Sequence, residues 1–64
     1  MTDEELIRWV AQARVGVALP QGISKFEIYD RLKAHGAPLD YREPDHRLAP
    51  KASAWAREWV EQHQ

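Results

Sequence analysis

Three histidines, His35, His46 and His63, are the imidazoles available for acid–base or metal chemistry. No pair of them has the spacing that sets two ligands one turn apart on a helix. The chain has no cysteine, so thiol catalysis, zinc ribbons and disulfide scaffolds are excluded. Asp40, Glu43, Asp45 and His46 fall close together in sequence, but spacing alone fixes no coordination geometry, and a solvated turn accounts for them. Asp45 and His46 are neighbours that would point apart on an extended chain. The hydroxyls are Thr2, Ser24, Ser53, Tyr29 and Tyr41. Thr2 and Ser24 are explained as helix caps, and none has a base and an orienting third group at a readable spacing. No glycine-rich phosphate loop is present. The reading is a non-enzymatic protein with no catalytic, metal or cofactor residues.

What remains is binding chemistry. Lys and Arg number 9 against 10 Asp and Glu, a net charge of −1, so no global field draws the chain to nucleic acid or acidic lipid. The cations are nonetheless placed unevenly. From residue 31 to 57 stand Arg31, Lys33, Arg42, Arg47, Lys51 and Arg57, against Asp40, Glu43 and Asp45. A fold that gathers the end of the second helix, the following loop and the start of the third would make a locally basic surface. Tyr41, Arg42, Arg47, Lys51 and Arg57 are the partner-binding candidates.

The elements that must position them are helical. With 64 residues, 44% hydrophobic and 30% charged, the chain is read as one small folded domain over 1–64. No apolar run approaches the roughly 18 residues that span a bilayer. The acidic start, Met1 to Glu5, does not read as a targeting segment, and a cytoplasmic protein is expected. Thr2 and Glu5 make a capping box, and Leu6, Trp9, Val10, Ala13 and Val17 recur at helical spacing, which predicts a helix over 3–14. Val15 to Leu19 also alternates, and a short strand competes there. Ser24 and Glu27 make a second capping box, with Ile23 and Ile28 as a hydrophobic staple. That helix covers Phe26 to His35, with Ile28 and Leu32 inward and Phe26 or Tyr29 at the core edge. Gly36 suits the left-handed stop.

Residues 37–49 read as a long loop or a short β-hairpin turning at Pro44 and Asp45. Pro50 then opens the third helix as its first residue. Ala52, Trp55, Ala56, Trp59 and Val60 form its apolar stripe. The expected fold is mainly α: three helices around a tryptophan-rich core, with the loop or hairpin between the second and third.

The stretch Gly22 to Gly36 resembles the first helix of bacterial helix-turn-helix modules, with its Gly–apolar–Ser start, Glu27–Ile28 pair, Leu32 and terminal Gly36. Arg47 to Trp55 is similar to the last-helix entry of excisionase-like winged helices. The resemblance implies a small DNA-binding regulator of phage or mobile-element type, with Lys51 or Arg57 near the groove and the other cations on phosphates. A helix-turn-helix, however, joins its helices by about 3–4 residues, and Gly36 to Pro50 is far longer. The first expectation is therefore a protein-binding module, a phage-type inhibitor or adaptor that acts through residues 37–49 and the adjacent helix surface. DNA binding is the alternative, and a homodimer sharing the tryptophan stripe is a further option.

Overall fold

A computed structural model describes residues 2–12 and 22–63. It holds three helices: α1 over Asp3–Gln12, α2 over Lys25–Ala34 and α3 over Asp45–Gln62. The expected end of the first helix at residue 14 and the strand weighed for Val15 to Leu19 lie outside the described residues.

Each helix start follows from local chemistry. The Glu5 amide donates to Thr2 Oγ1 at 3.2 Å, and the Thr2 amide donates back to Glu5 Oε1 at 3.3 Å, so two otherwise orphaned amides satisfy each other's side chains. The Thr2 amide, and then the Thr2 hydroxyl, which donates to the same carboxylate oxygen at 3.0 Å, hold the Glu5 carboxyl below its ordinary range. Asp3, Glu4 and Glu5 occupy the first turn, where the helix dipole favours negative charge. Ser24 caps α2 by accepting from the Glu27 amide at 3.2 Å. Glu27 itself reaches forward to Arg31 at 3.3 Å. The end of α2 is a Schellman motif. The Ala37 amide donates to Leu32 O and the Gly36 amide to Lys33 O, with Gly36 at φ +99°. A side chain at Gly36 would meet backbone strain in that left-handed conformation.

The connection from α2 to α3 is shorter than the sequence suggests. It contains no strand among the described residues, and the expected hairpin is absent. Its turn is Asp40 to Glu43, closed by the Glu43 amide on Asp40 O at 2.9 Å. Asp40 Oδ1 accepts from the Arg42 amide at 2.9 Å, an Asx-type contact. Pro44 is not in a turn. With φ −70° and ψ 155° it is the extended residue that enters α3, and its carbonyl accepts from both the Arg47 and Leu48 amides. Asp45 then lies in the dipole-favoured first turn. The third helix thus starts five residues before Pro50, which lies inside it. Leu48 decides the outcome: it extends the apolar stripe one turn upstream, onto the line of Ala52 and Ala56, and is buried with them.

The core is aliphatic rather than tryptophan-rich. Leu6, Ile7 and Val10 of α1, Ile28, Tyr29 and Leu32 of α2, and Leu48, Ala52 and Ala56 of α3 are buried together, joined by Ala37 and Leu39 from the connection. Trp9, Trp55 and Trp59 are only half-buried and pack around this core. Tyr29, expected at its edge, is inside it. Small alanines on α3 face α1 in this core, and the larger indoles pack around it. Charged pairs bind the helix ends outside the core. Asp3 faces both His35, at 3.0 Å, and Arg31, at 3.6 Å, while Lys25 pairs with Asp45. No helix is long and apolar enough to cross a membrane among the described residues.

Pro50 removes the amide that would donate to the His46 carbonyl, a cost of about 3 kcal/mol in a helix interior. It is exposed, so nothing in the core depends on its ring. Pro50→Ala is expected to raise unfolding free energy in urea by about 1–2 kcal/mol, part of the gain being offset by the greater freedom of the unfolded chain. A less stable variant would show that the ring supports the start of α3.

Candidate functional site

Phe26 and Tyr41 are the exposed large hydrophobics among the described residues, at 58% and 41% of their full exposure. They are also in contact, edge to face, with centroids 6.3 Å apart. Each arrives for a separate reason. The Ser24 cap fixes the first turn of α2, and Phe26 shares its helical stripe with Asp30 and Lys33 rather than with Ile28 and Leu32. Tyr41 is a central residue of the Asp40–Glu43 turn, and its ring leans on Tyr29, 6.3 Å away, at the boundary of the core. Its hydroxyl donates to Asp30 Oδ1 and lies 3.5 Å from the Phe26 carbonyl. Lys33 Nζ stands 4.5 Å from the Tyr41 centroid, and Lys25 Nζ 5.4 Å from that of Phe26, both in cation–π range.

The electrostatics of this patch are nearly balanced. Lys25 is paired with Asp45, whose hydrogen bond raises the ammonium's proton affinity above the ordinary value. Arg42 pairs with Asp40 at 3.2 Å, although its side chain is 91% exposed. The Arg42 amide, followed by its side chain, holds the Asp40 carboxyl below the usual range. Desolvation, and then the hydrogen bond to Asp30, pushes the Tyr41 phenol up to about 12. Burial likewise raises the phenol of Tyr29. The result is two aromatic rings rimmed by the Lys25–Asp45 and Arg42–Asp40 pairs and by Lys33, a surface that can supply apolar contact and hydrogen bonds.

The five residues expected at the site are not brought into one cluster. Tyr41 and Arg42 sit together in the turn. Lys51 is drawn to Glu43, with Nζ at 2.7 and 2.8 Å from the two carboxylate oxygens. Arg47 lies one turn before Lys51 on the exposed side of α3. Arg57 is ten residues beyond Arg47, about 15 Å along the axis, and on the other margin of that exposed side. Neither Arg47 nor Arg57 forms an ion pair among the described residues. Glu58 and Glu61 share the same exposed side, so the basic surface expected from the sequence is interrupted. Phe26 is the residue that sequence reasoning misplaced. Its signal was readable, since an apolar residue at i with Asp30 at i+4 and Lys33 at i+7 belongs to a polar stripe.

A concavity runs beside α3. A cavity of about 500 Å³ is lined by His35, Trp55, Glu58, Trp59, Gln62 and His63. An adjoining one of about 380 Å³ is lined by Pro38, Lys51, Ala54, Trp55 and Glu58. Trp59 is held by His63, stacked 4.0 Å away at 13°, and by His35 edge-on at 6.4 Å. No group of three or more His, Cys, Asp or Glu side chains able to hold a metal occurs among the described residues.

The chain matches no family model, no curated protein and no solved structure.

The Tyr41 environment has a measurable consequence. In a Tyr29→Phe background, the ultraviolet absorbance titration of the remaining phenol is expected to centre near 12, against about 10 for a free tyrosine. Asp30→Asn should bring it down part of the way, because desolvation persists. The folded value lies above the unfolded one, so the contribution to stability is complete below about pH 10 and is lost as pH rises through the folded value. A midpoint near 10 in the folded protein would mean that Tyr41 is not held against Asp30.

Proposed function

We propose that this chain is a non-enzymatic protein-binding module that docks a partner on the Phe26–Tyr41 patch and the adjoining Asp40–Glu43 turn. The observation that carries this reading is the pairing of the two exposed large aromatics on one surface. Apolar side chains isolated on a surface need no explanation, whereas two in contact form an anchor of the type that dominates binding energy at interfaces. The rim supports the same reading. Arg42 and Lys25 are already neutralised by carboxylates, a polar border suited to hydrogen bonding at a protein interface. A phosphate backbone would have to displace Asp40 and Asp45 before gaining either cation. The partner segment that fits is short, with apolar side chains over the two rings and polar groups toward Lys33 and Arg42.

This role is that of an inhibitor or adaptor, in a cytoplasmic setting. A second copy of the chain is a less suitable occupant, since two aromatic rings offer much less than the roughly 800 Å² per partner of a stable interface. DNA recognition is the alternative, and Arg47 and Arg57 favour it as the α3 cations without an acidic partner among the described residues.

Panning a random-peptide display library against the protein tests the proposal. Enriched peptides are expected to carry apolar residues. Their binding should weaken by about 2 kcal/mol or more with Phe26→Ala or Tyr41→Ala, while circular dichroism stays unchanged. Enriched peptides that bind both variants as well as the parent would remove the patch from the proposal. Fluorescence anisotropy with mixed-sequence duplex DNA at low salt addresses the alternative. Binding that falls steeply with added salt would overturn the protein-binding reading in favour of DNA.

A further inference from the structure

The concavity beside α3 shares no residue with the Phe26–Tyr41 pair, and its one lining ammonium among the described residues, Lys51, is already paired with Glu43. Glu58 lines both adjoining cavities and forms no ion pair among the described residues. Trp55, one turn before Trp59, also lines both, so an indole and an uncompensated carboxylate stand where the two spaces meet. The cavity adjoins the last turn of α3, which carries no Lys or Arg to offset the negative end of the helix dipole. His63 Nδ1 donates to the Trp59 carbonyl at 2.8 Å, which fixes the ring that stacks on Trp59. His35 Nε2 is engaged by an Asp3 carboxylate oxygen at 3.0 Å.

An indole, a carboxylate without a cation and a helix C-terminus together select a planar cation rich in donors. We propose that this groove binds a guanidinium group, stacked on the Trp55 indole and paired with Glu58, beside the Trp59 ring on which His63 is already stacked. Guanidinium is the fit because its flat, weakly hydrated face stacks on an aromatic ring while its edge donates to a carboxylate. A compact ammonium would use the charge but not the indole plane. The group can reach the groove as a free small ligand or as an arginine side chain of another chain, and the same contacts serve both.

Titration of the intact protein by tryptophan fluorescence and amide chemical shifts separates these cases. The probes are methylguanidinium and N-acetyl-arginine amide, with N-acetyl-citrulline amide as the neutral isostere. Saturable binding in roughly the millimolar range is expected for the guanidinium probes, with shifts centred on Trp55, Glu58 and Trp59, and none for citrulline. Glu58→Gln, on the exposed side of α3, should weaken binding by about 5- to 10-fold, and Trp55→Leu similarly. Equal affinity of the two guanidinium probes assigns the site to a free small ligand. Markedly tighter arginine amide assigns it to a side chain. Citrulline binding as well as arginine, an unchanged affinity in Glu58→Gln, or shifts that miss Trp55 and Glu58 on the unmodified protein would each overturn the proposal. None of these readings involves Phe26 or Tyr41, so the outcome is independent of the protein-binding test.

Discussion

The close approach of α1 to α3 is the constraint on which the rest of this small protein depends. Leu6, Ile7 and Val10 meet a face of α3 built from Leu48, Ala52 and Ala56, and the alanines allow the two helix backbones to approach. A chain of 64 residues buries only about 60% of the surface its unfolded form exposes. It cannot leave its aliphatic residues outside. With that seam occupied by short side chains, Ile28, Tyr29 and Leu32 of α2 close the third side, and the indoles are displaced to the margins. Trp9, Trp55 and Trp59 then cover the edge of the core while part of each ring faces solvent.

The same arrangement sets the two candidate surfaces. On one, the short connection from α2 to α3 brings the Asp40–Glu43 turn back over α2, where Tyr41 meets Phe26 and its hydroxyl reaches Asp30. On the other, the half-buried tryptophans of α3 cannot sink further, and the space beside them is completed by His35 at the end of α2 and His63 at the end of α3. Both surfaces expose large aromatics, Phe26 because its register on α2 is shared with Asp30 and Lys33, and the indoles because they pack around the core rather than in it. Ion pairing works against a third surface. The cations that sequence suggested as a basic face are mostly drawn to local carboxylates, Arg42 to Asp40 and Lys51 to Glu43, and the exposed side of α3 mixes Arg47 and Arg57 with Glu58 and Glu61.

Much of the fold was legible because its signals are local. Thr2 and Glu5, Ser24, and Gly36 act on backbone groups within a few residues of themselves, so the starts of α1 and α2 and the stop of α2 could be read from residue types and spacing. The third helix was misread where two local rules competed. Proline is favoured at the first helical position, and Pro50 appeared to fill it. The stronger signal was Leu48, four residues before Ala52, together with a second proline at position 44 whose preset backbone suits a helix entrance. Of the candidate site, Tyr41 and Arg42 are legible as members of a polar connection, whereas hydrophobicity alone does not separate Phe26 from Tyr29 at the core edge, and the helical register that does so leaves Phe26 exposed and Tyr29 buried.

Residue order by itself determined the helical class, the capped ends of the first two helices and the absence of cysteine chemistry, since each depends on groups adjacent along the chain or on composition. Tertiary structure alone decided which aromatics are inside. That choice depends on the distance between helix axes, and the alanines of α3 set this distance only once α1 lies against them. It also decided that Phe26 meets Tyr41 and that Trp55, Glu58 and the two histidines surround one space. Those contacts join residues far apart in sequence, and no spacing rule links them until the core has fixed how the three helices lie.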